Sequence, residues 1–187
     1  MWPVALIGGG MALAYFSTRG PSNLTTVQSG GKQFQVQNLP DKEAAARLMG
    51  KIQSNLEKLI EHYQSDTAKM ADPRVNALIT RFKPENMCEN DVNADSTSYS
   101  ENKGEKIVVC LREKTPNNPL IDENTIMFVI LHEMAHLMTT TVGHTTEFWT
   151  NFRIILQDAV QCGIYTPVNY AQKPTGYCGM TITDSPI

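Results

Sequence analysis

A chain of 187 residues and 20.8 kDa holds one domain of ordinary size, about 100–200 residues, with a short appendage. Its net charge of −3 and pI near 5.8 exclude a basic field that holds nucleic acid by counterion release, so no direct nucleic-acid partner is expected. With 41% hydrophobic and 19% charged residues the chain is apolar enough to build a core, which excludes wholesale disorder.

The apolar residues are unevenly spread, and no charged side chain precedes Arg19. A helix over residues 2–18 is about 25 Å long at 1.5 Å per residue, close to the ~30 Å hydrocarbon core of a bilayer. Trp2 at one end and Tyr15 and Phe16 at the other suit the two interfaces. Residues 1–18 therefore read as a single N-terminal membrane helix, with the lipid membrane as partner. A cleaved signal peptide ending near Ala12-Leu13-Ala14 and a buried core segment are the rival readings. Arg19 and Lys32 follow the apolar run, and the positive-inside bias then puts the rest of the chain on the cytosolic side. The sequon Asn23-Leu24-Thr25 points the other way. The expected location is that of a single-pass membrane protein. The internal membrane of a large DNA virus particle is the alternative.

Residues 19–39, rich in Gly, Ser, Thr and Gln, read as a linker arm, with the alternation of residues 33–37 as a candidate strand. The domain proper is expected over residues 40–187. A helix starts near Pro40-Asp41, and Ala45, Leu48, Met49, Ile52, Leu56, Leu59, Ile60 and Tyr63 keep its apolar stripe at 3–4 spacing. Asp72-Pro73 opens a short segment through Phe82. Residues 96–100 and 106–112 flank a polar Gly-containing turn and predict a hairpin. The best helix covers residues 121–141, with Asp122 or Asn124 as its cap, and Thr145 or Thr146 caps another that Gly163 ends. The Pro- and Gly-containing C-terminal segment is expected to be irregular but packed through Tyr165, Tyr170 and Tyr177. Cys88, Cys110, Cys162 and Cys178 allow three pairings, and none is spaced as a metal knuckle, so they read as buried or free thiols.

The chemistry lies in the best helix, at His132-Glu133-Met134-Ala135-His136. Residues four apart on a helix project from one face, so both imidazoles reach one Zn²⁺ ion without distorting the backbone. Glu133 beside the first ligand is then the general base for a metal-activated water. The flanking residues are apolar almost all round, and unpaired polar groups there are costly unless a metal engages them. Gly143-His144 follows just past the helix end, and His144 is the third candidate ligand, with Glu147 as the variant. Three His ligands leave one position open for water, as hydrolytic rather than structural zinc requires. Asp122, Glu147 and Asp158 are candidates to orient the imidazoles, Tyr165, Tyr170 and Tyr177 to steady an oxyanion, and Met180 to floor the site.

This constellation, continued by Gly143-His144-Thr145-Thr146-Glu147-Phe148-Trp149, resembles the WLM/SprT-like group of zincin metallopeptidases, whose HExxH helix is followed by a third His in a GHxxxF-type segment. The resemblance covers roughly residues 41–163 and is most specific over 128–149. It implies His132, His136 and His144 as zinc ligands and Glu133 as catalytic acid/base. It also implies that residues 106–112 form the strand before the active-site helix. Seven residues separate His136 from His144, where many members have five, and the metzincin HExxHxxGxxH spacing is absent. The group includes proteases that clear DNA–protein crosslinks, but an acidic chain without a zinc knuckle does not support that role.

The expected protein is thus a membrane-anchored zinc metallopeptidase of α+β, zincin-like fold, with a small β-hairpin or sheet and an active-site helix. Its expected partner is a protein or peptide substrate. The alternative is a structural or assembly protein that keeps the fold without significant peptidase activity, with structural partners, capsid-like in a virus.

Overall fold

The structure is a computed structural model that describes residues 23–91 and 93–187. Two six-residue strands, β1 (Leu24–Ser29) and β2 (Lys32–Gln37), open it as an antiparallel hairpin in register from Leu24↔Gln37 to Ser29↔Lys32. Gly30 and Gly31 turn the corner at φ 57° and 79°, the positive values a two-residue hairpin needs. Residues expected as a linker arm therefore belong to the sheet. Phe34 and Val36 explain why: both are buried against the long helix that follows.

That helix, α1 (Lys42–Ser65), buries Ala45, Met49, Ile52, Leu56, Leu59 and Tyr63, the stripe expected from the spacing. Its N-cap Asp41 makes no side-chain cap bond, because its carboxylate accepts from Arg112 Nη1 at 2.7 Å. Short helices α2 (Thr67–Ala71) and α3 (Pro73–Arg81) follow, capped by Asp66 and Asp72. The chain then returns as β3 (Met87–Glu89), parallel to β2. The hairpin of β4 (Tyr99–Glu101) and β5 (Lys106–Val109) forms as expected, with Tyr99↔Val108 and Glu101↔Lys106 in register. β5 lies parallel to β3, giving a five-stranded mixed sheet of order β1-β2-β3-β5-β4.

Helix α4 (Glu123–Met138) is capped by Asp122, whose carboxylate accepts from Thr125 N–H. Asn124, the other candidate cap, instead bonds both backbone groups of Thr166. The helix stops before residue 141 because Thr139 turns to extended φ/ψ, with its hydroxyl donating to the Ala135 carbonyl at 2.7 Å. Helix α5 (Thr146–Gln161), capped by Thr145, packs against α4. The C-terminal segment is less irregular than expected. It carries the hairpin β6 (Thr175–Tyr177) and β7 (Met180–Ile182), turned by Cys178 and Gly179 at φ 54° and 78°. Tyr165, Tyr170 and Tyr177 are buried, as expected.

Two expectations are corrected. Among the described residues no helix is long and apolar enough to cross a membrane. α1 spans about 36 Å at 1.5 Å per residue but carries charged side chains along its outer face. α4 is apolar nearly all round but only about 24 Å long. Residues 1–18, which carried the expectation of a membrane helix, lie outside the described residues. The described residues form an α+β fold with no membrane-spanning helix, so the fold class is corrected to α+β and nothing among those residues supports the single-pass location, in a cell or a virus particle. The cysteines divide: Cys110 and Cys178 form a disulfide across 68 positions, while Cys88 and Cys162 are free. The pairing follows from the C-terminal hairpin being laid beside the end of β5, a contact no spacing rule contains.

The turn between β4 and β5 touches α4 directly. Gly104 sits at φ +99°, and a Cβ there would lie 2.7 Å from Leu137 Cδ1 and 3.1 Å from the Arg81 carbonyl oxygen. Gly104→Ala is expected to cost about 1–3 kcal/mol through strain and displacement of the α4 end. Urea unfolding measures it, and an unchanged midpoint would show that the turn is not held there. Thiol alkylation of the denatured, unreduced chain should label two cysteines, rising to four after reduction. Four labels without reductant would refute the disulfide.

Candidate metal centre

The polar interruption of α4 lies where it is packed on several sides. Ile126, Met127, Phe128, Ile130, Leu131, Met134, Ala135, Leu137 and Met138 are buried against α5, α3, α1 and the 102–104 turn. His132, Glu133 and His136 share this helix but are only half-buried.

His132 Nε2 lies 3.2 Å from His136 Nε2 and 3.1 Å from His144 Nε2. One ligand atom from each of the three lies within 4.8 Å of the others, the only such group of three found among the described residues. Two nitrogens bound tetrahedrally to one zinc at ~2.05 Å would stand roughly 3.3 Å apart, so the spacing fits a shared ion. Burial, followed by the neighbouring imidazoles, holds the His132 pKa well below the ordinary value. Burial and His144 bring His136 to about 4, and burial also lowers His144, against the opposing pull of Asp184. Neutral imidazoles are the forms that ligate metals. The donor set fits a divalent transition metal.

The first turn of α5 builds the floor. Phe148 stacks on His136 at 4.3 Å and meets His132 and His144 edge-on at 4.8 and 4.7 Å. Phe152 backs His132 at 5.2 Å, and Trp149 flanks His144 at 5.9 Å. Phe148 was legible as an apolar position of α5 and as the Phe of the GHxxxF-type segment, but not as the floor beneath the rings. Its place under all three rings comes from the packing of α5 on α4.

The remaining expected residues are placed as follows. Glu133 is half-buried, and burial pushes its carboxyl up to about 8. Glu147 is not in the His cluster. It accepts from Thr140 N–H at 2.9 Å and Thr141 N–H at 3.2 Å, and from both threonine hydroxyls, with Thr141 Oγ1 at 2.8 Å. These bonds, led by Thr140 N–H, hold its pKa near 2. Asp122 caps α4, and Asp158 is bound by Tyr63 and Lys69, so each is engaged away from the cluster. Tyr165 and Tyr170 pack on the Phe128 ring. Tyr177 is buried with its hydroxyl bonded to Ser98 Oγ, which accepts from Cys110 N–H. Burial raises the Tyr177 hydroxyl pKa, with a smaller upward push from the Glu133 charge. Of the three tyrosines, Tyr177 is thus the one that feels the Glu133 charge.

The fold resembles crystal structures of Wss1 from Saccharomyces cerevisiae. One has a TM-score of 0.52 at 21% identity, covering 68% of this chain and 87% of that one. A mutant Wss1 structure aligns similarly, with a TM-score of 0.51. A protein of Acanthamoeba polyphaga mimivirus is 31% identical over 186 residues, 97% of this chain and 94% of that protein. A protein of Invertebrate iridescent virus 3 is 36% identical over 88 residues, 46% of this chain and 52% of that protein. The WLM domain family model matches residues 30–177, a span that takes in the hairpin β1–β2 in part, the sheet, α4 and α5. With most of its length matched by that model and nearly all of it aligned to a relative, the protein belongs to the WLM domain family and carries a metallopeptidase-type domain.

Proposed function

We propose that the protein is a zinc-dependent peptidase acting on a protein or peptide substrate. The observation that carries the reading is the convergence of three Nε2 atoms, 3.1 and 3.2 Å apart, beside a half-buried glutamate on the same helix. His132, His136 and His144 would hold the ion through those nitrogens. An all-imidazole set of three suits Zn²⁺ with one position left open. When bound, zinc supplies Lewis acidity that acidifies a water and polarises the scissile carbonyl.

Glu133 does the proton work. Its carboxylate accepts a proton from the attacking water and returns it to the nitrogen of the leaving amine. Burial alone favours the neutral acid, and a cation beside it favours the carboxylate, so zinc loading and base strength are coupled at this residue. Phe148 and Phe152 fix the imidazole planes and exclude water from beneath them.

Glu133→Gln should retain one zinc per chain by metal analysis. Its cleavage of fluorescent casein should fall by about 10²–10⁴-fold, the usual weight of a positioned acid/base. Equal turnover in variant and wild type would overturn the role of Glu133. For the ligand set, His144→Ala should weaken zinc affinity by at least about tenfold in chelator competition. Unchanged affinity would remove His144 from the site.

A further inference from the structure

The connection from α4 to α5 must deliver His144 to a fixed point, yet the core does not hold it. Thr140, Thr141 and Val142 are exposed, Val142 at 74%, and a Cβ built on Gly143 meets nothing within 4 Å. Gly143 also stands at φ +85°, so the backbone turns just before the ligand. A connection of this kind loses configurational freedom when its histidine is pinned, and with no apolar anchor that loss must be offset by hydrogen bonds.

Glu147 supplies them. Its Oε1 accepts from Thr140 N–H at 2.9 Å and Thr140 Oγ1 at 3.0 Å, and its Oε2 from Thr141 N–H at 3.2 Å and Thr141 Oγ1 at 2.8 Å. Thr141 Oγ1 also lies 2.7 Å from Thr145 Oγ1, the hydroxyl that caps α5 by accepting from Phe148 N–H. The base of this clamp is anchored in the core, because the next residue, Phe148, is buried beneath the three imidazoles. Both ends of the segment before His144 are therefore referred to the same turn of α5.

We propose that Glu147 is the positioning residue of the third metal ligand: by clamping Thr140 and Thr141 to the first turn of α5, it sets where His144 Nε2 stands relative to His132 and His136. The proposal rests on the metal reading above, and it assigns Glu147 no direct bond to the ion. An acidic residue in a first helical turn also favours the helix dipole, which is a purely structural role. The two roles differ in one respect: a positioning residue acts through His144 and loses its effect on metal affinity when His144 is gone.

The test is a double-mutant cycle on the full chain, read as zinc affinity by competition with a chromophoric chelator and as melting temperature of the metal-free protein. Glu147→Ala should weaken zinc binding by about 10–100-fold, the usual effect of losing a group that orients a ligand. Glu147→Gln keeps the size but turns an amide donor toward donors, and should fall between that variant and wild type. In a His144→Ala background, Glu147→Ala should change zinc affinity by less than about threefold. Unchanged affinity of Glu147→Ala in the wild-type background overturns the proposal. So does an equal loss in both backgrounds, which would assign Glu147 a general structural role. If the metal-free alanine variant fails to fold, the glutamine variant carries the same cycle with the same two overturning outcomes. A wild-type chain that takes up no zinc would overturn the metal reading, and this proposal with it.

Discussion

Everything else turns on the partial desolvation of three imidazoles, two on a helix that is otherwise core and a third from the connection after it. α4 is buried by other elements on most of its surface, so its polar side chains cannot all turn to water. His136 Nε2 and His144 Nε2 each stand little more than 3 Å from His132 Nε2, a spacing that suits a shared cation. The rest of the molecule serves that point. α5 supplies an aromatic floor, the β4–β5 turn and Arg81 hold the far end of α4, and Asn151 bonds the Met138 carbonyl. Arg81 Nη1 donates to the Leu137 carbonyl at 3.0 Å, and Asn151 Nδ2 to Thr139 Oγ1 at 3.0 Å. Every one of these contacts falls within a turn of His136.

A second polar network fixes the sheet to the helices at the start of α1. Arg112 is buried, donating to Glu89 at 2.8 Å and to Asp41 at 2.7 Å, while Gln37 N–H donates to the other Glu89 oxygen at 2.7 Å. It joins β2, the end of β3, the start of α1 and the segment leading to α4. Charges taken from water are tolerated when each is paired and hydrogen-bonded, and such a network favours one register over its neighbours. The disulfide between Cys110 and Cys178 then ties the C-terminal hairpin to the end of β5, placing Tyr177 against Ser98.

Legibility followed the range of the interaction. The HExxH spacing, the stripe of α1 and the caps at Asp72 and Thr145 are set by residues within a turn or two of each other, and each was readable. The β1–β2 hairpin was half readable: the alternation of residues 33–37 was visible. The Gly30-Gly31 pair before it was the signal that would have completed it. Glu89 and Arg112 were not readable as partners, because their meeting depends on the parallel pairing of β3 with β5. Phe148 illustrates the same point at the site, since a stripe position on a helix does not say which rings lie above it. The uncharged start of the chain suggested a bilayer by composition alone, and composition cannot distinguish an anchor from other apolar segments.

The order of residues alone sets the chemistry available: two imidazoles one helical turn apart, a glutamate beside the first, and a third imidazole beyond a glycine. Helical periodicity makes that inference local, so it needs no fold. Tertiary structure decided which of His144 and Glu147 joins the cluster. α5 packs on α4 through Phe148, which leaves His144 facing His132 and turns the Glu147 carboxylate back onto Thr140 and Thr141. The two side chains are three residues apart on one short segment. Only the direction from which α5 approaches separates the imidazole at the centre from the carboxylate that holds its loop.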